Sequence, residues 1–295
     1  MKDIDLDIQL ALNVPLQNRF CEYGPVFSNA CENLEEVEKK LNYKNKDILL
    51  PLSSGDQYLF ALYKDSKSIT TYDINKLTKY YVSLKISAFK TFTTLNDFLK
   101  FLITDDYNLF NTKKEIIYKL FDNLDKNSLY FWKNYLEKAT DPNLNNLVKN
   151  KTFRLNKDYI QTGIPFYKND TEYKKLRNKL INLKESFKFI NSDLFYISSQ
   201  LDKKYDIIDL SNIISTDIYD NYYDNLYDNL EDNWIYVIKN ELLNHLNNNG
   251  SIIIDYIYND DLNNKQTFIN SKNIIKYNID SKQKNSKDSI YVYKK

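Results

Sequence analysis

Residues 47–57, DILLPLSSGDQ, pass from an apolar run into a polar turn that holds one of only four glycines in the 295-residue chain. An apolar run the length of Asp47–Leu52, closed by turn residues, predicts a buried strand. Helical spacing resumes directly after the turn, over Tyr58–Lys64. A second strand, Ser68-Ile69-Thr70-Thr71-Tyr72, ends at Asp73, and 75–92 places Leu77, Tyr81, Leu84, Ala88 and Phe92 on one helical face. Strand, turn, helix, strand, turn, helix in so short a span predicts a parallel sheet with crossover helices.

The same pattern extends outward. A short helix over 34–45 precedes the first strand. The α/β pattern resumes at Phe187–Ile190, a strand closing on Asn191-Ser192-Asp193, and at Tyr205–Leu210, a strand closing on Ser211-Asn212-Ile213. A surface loop is expected over 216–232, then a helix over 234–246 that Asn249-Gly250 terminates. A central strand over 251–258 and two edge strands near 274–279 and 289–293 complete the set. Between the halves, residues 93–185 repeat apolar residues at helical spacing, with an irregular loop over 140–170 that would cover the site. The expected fold is therefore α/β and Rossmann-like: 1–92 as its first half, 93–185 as a mostly helical insertion or lid, and 186–295 as its second half.

Composition narrows the function. Hydrophobic residues make up 42% of the chain, enough for a core, and 41 Lys+Arg balance 40 Asp+Glu. No nucleic-acid partner is expected from that balance. The Lys-rich stretch 174–188 reads as a solvated helix face. No apolar run is long enough to span a bilayer, and the N-terminus lacks a signal-peptide pattern, so a cytoplasmic location is expected; peripheral contact with a membrane is compatible with this. Cys21 and Cys31 suggest neither a disulfide framework nor a metal site, and no metal is expected. His245, the single histidine, reads as a surface residue, which disfavours nucleophilic triads. A general base would then be a carboxylate or a tyrosine, Glu32 first and Asp56 second. Glu32 reads equally as an acid at a helix start, and Asn212 as either a substrate contact or a helix cap.

In an open parallel sheet, ligands bind beyond the carboxyl ends of the strands. Four such ends here are polar: Ser53–Gln57, Asp73–Asn75, Asn191–Asp193 and Ser211–Ile213. Gly55 lets the backbone approach a ligand closely, and the helix that follows offers free N–H groups. Asp73 is placed to accept two ribose hydroxyls, and Asp193 to accept an adenine amino group. The three-glycine turn of dinucleotide sites and the Gly-rich loop with Lys are both absent, so the ligand expected is an adenosine without phosphates.

Leu50–Gln57 (LPLSSGDQ), Thr71–Ala88 (TYDINKLTKYYVSLKISA), Phe92–Phe101, Phe27–Leu34 (FSNACENL), Tyr130–Trp132 and Tyr205–Ile213 (YDIIDLSNI) together resemble the family that contains the aminocarboxypropyl transferase half of betaine-lipid synthase. That family is similar in fold to class I methyltransferases. The resemblance implies S-adenosylmethionine (SAM) as cofactor, held by Ser53, Ser54, Gly55, Asp56 and Gln57, with the ribose on Asp73, the adenine near Asp193, and Ile74 and Leu194 also binding the cofactor. It places Glu32, Asn33, Asn75, Ser211 and Asn212 around the methionine end and the acceptor, with Glu32 and Asn212 catalytic. The implied reaction moves an aminocarboxypropyl or methyl group to a small-molecule or lipid acceptor; the alternative is a SAM-binding or scaffold protein without turnover.

Overall fold

The protein is described here from a computed structural model covering residues 2–14, 21–103, 110–149, 156–183, 187–213, 241–258 and 273–295. The apolar run at 47–52 becomes β2 (Asp47–Pro51), which is paired on both sides. On one side lie β3 (Ser68–Asp73) and then β5 (Lys188–Asn191); on the other lie β6 (Tyr205–Asp209) and then β7 (Leu246–Ile257). All four of these pairings are parallel. The sheet is completed by β9 (Lys287–Lys294), antiparallel to β7, and by β8 (Ile274–Asp280) at the edge, giving seven strands in the order β5-β3-β2-β6-β7-β9-β8. The chain moves outward from β2 in one direction and later returns to fill the other side. This is a Rossmann-like, class I methyltransferase-type α/β sheet, and its topological switch point lies between β2 and β6.

Side chains alternate along each strand and build two cores. Ile48, Leu50 and Leu52 join one core with Ile207, Ile253 and Val292, while Leu49 faces the other with Tyr72, Ile208 and Ile252. The first core is covered by α2 (Leu34–Leu41), α3 (Asp56–Tyr63) and α4 (Thr78–Thr91). The described residues of 93–185 are mostly helical, with α5 (Leu95–Ile103), α6 (Phe110–Tyr118), α7 (Lys126–Lys138) and α10 (Asp170–Asn182). These helices share the first core: Trp132 Nε1 donates to Tyr80 O at 2.9 Å, and the Phe131 ring stacks on Tyr80 at 3.9 Å. N-terminal α1 (Lys2–Ala11) joins the same face, where Asp7 accepts from the Tyr80 and Tyr23 hydroxyls.

Three expectations are corrected. Residues 140–170 are not one irregular loop: they hold α8 (Asp141–Leu147), β4 (Val148–Lys149) and α9 (Lys157–Gln161), and β4 pairs in parallel with β1 (Val26–Phe27). Pro142 is accommodated in the first turn of α8, where no N–H is required, and Asn143 Oδ1 accepts the Thr140 N–H at 2.7 Å. The predicted helix over 234–246 does not reach 246, because β7 already begins there; its segment 234–240 lies outside the described residues, as does the loop expected at 216–232. Asn249, with φ of 63°, sits in a bulge within β7, where Tyr205 pairs with Leu246 but Ile207 pairs with Ser251. A helix end and a bulge both call for a left-handed residue, so Asn-Gly serves either. Finally, of the two tail strands expected at an edge, β8 lies there and β9 does not, since β9 is inserted between β8 and β7.

Candidate functional site

The turn after β2 is held by its own backbone: Gly55 N–H donates to Leu52 O at 2.6 Å, and Leu52 N–H donates to Tyr72 O on β3. Ser53 and Gly55 both have positive φ, 43° and 82°. At Gly55 a side chain is excluded twice, by that backbone conformation and by Val82 on α4, whose Cγ2 would lie 2.8 Å from an added Cβ. At the end of β3, Asp73 Oδ2 accepts the Ser53 N–H and Oδ1 accepts the Asn75 N–H, each at 2.9 Å. Burial raises the Asp73 carboxyl to about 6, against the lowering effect of these two N–H groups and of Thr78. Asn191 at the end of β5 donates to Asp73 O and Ile74 O, and Ser192 N–H continues the ladder to Asp73 O. Asp193 and buried Leu194 follow immediately, so the ends of β2, β3 and β5 form one continuous ledge.

Asp56 is turned away from that ledge. Its Oδ1 accepts Lys85 Nζ at 2.6 Å and the Tyr167 hydroxyl at 2.7 Å, and its Oδ2 accepts the Ala30 N–H at 2.7 Å. Lys85 is wholly buried and donates also to Ser28 O at 2.7 Å and Ser54 O at 2.9 Å. Its three protons thus have three acceptors. This cluster ties the 28–33 loop that follows β1 to the turn after β2. Asp56 therefore sets the loop's position and is enclosed by protein donors rather than available as a base.

The loop brings Glu32 to the switch point. Glu32 Oε1 accepts from the Ser211 hydroxyl at 2.8 Å and the Tyr258 hydroxyl at 3.0 Å, and Oε2 accepts from Gln57 Nε2 at 3.3 Å. Glu32 is buried and is not a solvent-facing acid at a helix start; Asn33 caps α2 instead, accepting the Glu36 N–H. Beneath Ser211, which has φ of 53°, Asp209 Oδ1 accepts the Ser211 N–H at 2.7 Å. Burial, with the nearby Glu32 charge adding to it, pushes Asp209 up to about 7. Asn212 is half-buried, with its side-chain amide 3.3 Å from the Ser211 hydroxyl oxygen. Four residues thus meet here that lie far apart in sequence: Glu32, Gln57, Ser211 and Tyr258.

Two predicted residues are engaged elsewhere. The Asn75 amide is held by Gly24 O and the Leu77 N–H, and Asn33 Nδ2 donates to Asp280 O at 2.8 Å. Sequence reasoning missed Lys85, Asp209, Tyr258 and Lys282. Lys282, in the β8–β9 turn, is 4% exposed and donates to Ala30 O at 3.0 Å; burial lowers it to about 8. Lys85 had a sequence signal, since it lies among the buried positions Tyr81, Leu84 and Ala88 of α4. Among the described residues no group of three metal-ligating side chains forms, and no helix is long and apolar enough to cross a membrane.

No protein-family model and no curated protein matches this chain. Among solved structures it is similar to the rRNA methyltransferase aviRa from Streptomyces viridochromogenes, seen twice. One match has 8% identity over 88% of this chain and 82% of the other, with a TM-score of 0.39. The second has 9% identity over 99% and 83%, with a TM-score of 0.36. The fold class rests on strand order and register, which define a Rossmann-like protein with a polar ledge at its switch point.

Proposed function

We propose that this chain binds SAM along the ends of β2, β3 and β5 and transfers a group from it to an acceptor held near Glu32. The observation that carries this reading is Asp73. Its two oxygens are oriented by backbone N–H groups, in a turn with neither the glycines nor the lysine that phosphates require. Such a carboxylate suits the paired hydroxyls of a ribose. A second observation tests the fit at the other end: Gln57 Oε1 is buried beside Glu32 without a donor among the described residues, and a ligand ammonium would supply one. The residues that would hold SAM are Ser53, Ser54, Gly55 and Gln57 at the turn, Asp73 and Ile74 at the ribose, and Asp193 and Leu194 at the adenine. SAM supplies a sulfonium whose methyl and aminocarboxypropyl carbons are both open to attack. Glu32 would orient the acceptor, with Asn212 beside it, and the helices within 93–185 would serve as the lid. A small-molecule or lipid acceptor is the preferred class.

The second reading, SAM binding without turnover, is favoured by one fact: three neutral donors of the protein already hold Glu32. Incubation with SAM and a cell extract, followed by mass spectrometry of nucleosides, separates the readings. Methylthioadenosine marks aminocarboxypropyl transfer, and S-adenosylhomocysteine marks methyl transfer. Either product should disappear in Asp73→Ala, and SAM affinity in the parent should weaken as pH falls through about 6, where Asp73 takes up its proton. Tight binding with neither product favours the binding protein. No SAM binding at any pH rejects both.

A further inference from the structure

Lys282 enters the interior from the turn between β8 and β9, far in sequence from everything it meets. Its ammonium has three donors, yet among the described residues it has one hydrogen-bond acceptor, Ala30 O at 3.0 Å. The Tyr159 ring lies 4.9 Å from Nζ, and the Tyr159 hydroxyl donates to Cys31 O at 3.4 Å. No carboxylate of the described residues lies within ion-pair distance of it, although the charges of Asp56 and Glu32 act on it from farther away. A buried ammonium without an anion is unfavourable.

Two residues along the same loop the imbalance is reversed. Glu32 is a buried carboxylate whose partners among the described residues are the neutral groups Gln57, Ser211 and Tyr258. Among the described residues Gln57 Oε1 has no donor. Its amide cannot be turned to correct this, because Nε2 must face the Glu32 oxygen. Among the described residues, one short loop therefore separates a cation that lacks an anion from a carboxylate and a carbonyl that lack a cation. A singly charged ligand would satisfy one side and leave the other unpaired.

We propose that Lys282 and the Glu32–Gln57 pair bind the zwitterionic α-amino-acid group of a ligand, with Lys282 taking the carboxylate and Glu32 with Gln57 Oε1 taking the ammonium. This group exists on the methionyl end of SAM and on free α-amino acids, and the former source rests on the SAM-binding reading above. Lys282 is on this account a specificity-determining residue contributed by the C-terminal hairpin.

Calorimetric titration of the full chain with SAM, decarboxylated SAM, methylthioadenosine, L-methionine and L-methioninamide tests it. The unmodified protein should prefer SAM to decarboxylated SAM by about tenfold or more, the loss expected for one charged hydrogen bond. Lys282→Met should erase that preference and leave methylthioadenosine affinity unchanged, which also reports that the variant is folded; Lys282→Arg should restore part of it. Equal affinity of the unmodified protein for SAM and decarboxylated SAM, a comparison that needs no variant, overturns the proposal and leaves the SAM reading standing. If neither SAM nor methylthioadenosine binds, the SAM reading fails. The proposal then survives only if L-methionine binds more tightly than L-methioninamide; no difference between them overturns it as well.

Discussion

Lys85 and Lys282 are buried cations holding backbone carbonyls of one loop, Ser28 O and Ala30 O respectively. Their surroundings differ. Lys85 meets a carboxylate and two carbonyls, and Tyr167 and the Ala30 N–H complete the shell of Asp56. Lys282 meets one carbonyl and an aromatic face. Burial depresses both lysines, and only at Lys85 does a touching carboxylate oppose it. A saturated ion pair fixes a backbone and has nothing left to offer a ligand, whereas an unsaturated cation in an equally dry place has capacity to bind. The position of the loop is thus set from one side, and its selectivity is assigned to the other.

The sharpest way to break that contrast is Lys85→Met, which should lower stability by about 3–5 kcal/mol in urea unfolding by stranding Asp56. Adding Asp56→Asn should recover part of the loss; no recovery would mean that Asp56 is not what Lys85 neutralises. Next comes Gly55→Ala, expected to cost about 2 kcal/mol or more from the positive φ and the Val82 clash, read as a lower urea midpoint. Asp209→Asn should stabilise the protein, by about 1–2 kcal/mol at pH 8. The folded carboxyl, raised to about 7, holds a proton that the unfolded chain releases near 4, so the parent loses stability as pH rises through that window. The gain should shrink to nothing near pH 4 in a pH series. Smallest is Lys282→Met, within about 1 kcal/mol of the parent at pH 7. The folded lysine gives up its proton near 8 and the unfolded one near 10.5, so the parent gains stability between those values and the variant should show no such rise. A large loss in Lys282→Met would make the two lysines alike and remove the distinction.

The strands on either side of the switch point were legible because β2 and β6 are largely apolar runs that stop at polar turns, and burial of both faces demands such runs. The β1–β4 pair was not, since two-residue strands leave no periodicity to read. The bulge in β7 was hidden by Asn-Gly, whose backbone preference serves two structures equally. In the candidate site, the position of Ser53, Gly55 and Asp73 at strand ends followed from where the first two strands stop. Asp56 was legible as a position but not in its role, because its partners come from residues 30, 85 and 167. Asp209 ends a strand but looked like part of the strand itself. Lys282 stands in the run Ser281-Lys282-Gln283-Lys284, indistinguishable from the solvated lysines around it.

The bonds from Asn33 to Asp280 and from Lys282 to Ala30 span 247 and 252 residues. During synthesis at about 5–20 residues per second, loop 28–33 would leave the ribosome roughly 12–50 seconds ahead of the hairpin that holds it. Through that interval the nascent chain can shape β2, β3 and the Lys85–Asp56 pair, while the loop still lacks the bonds that Asp280 and Lys282 make to it.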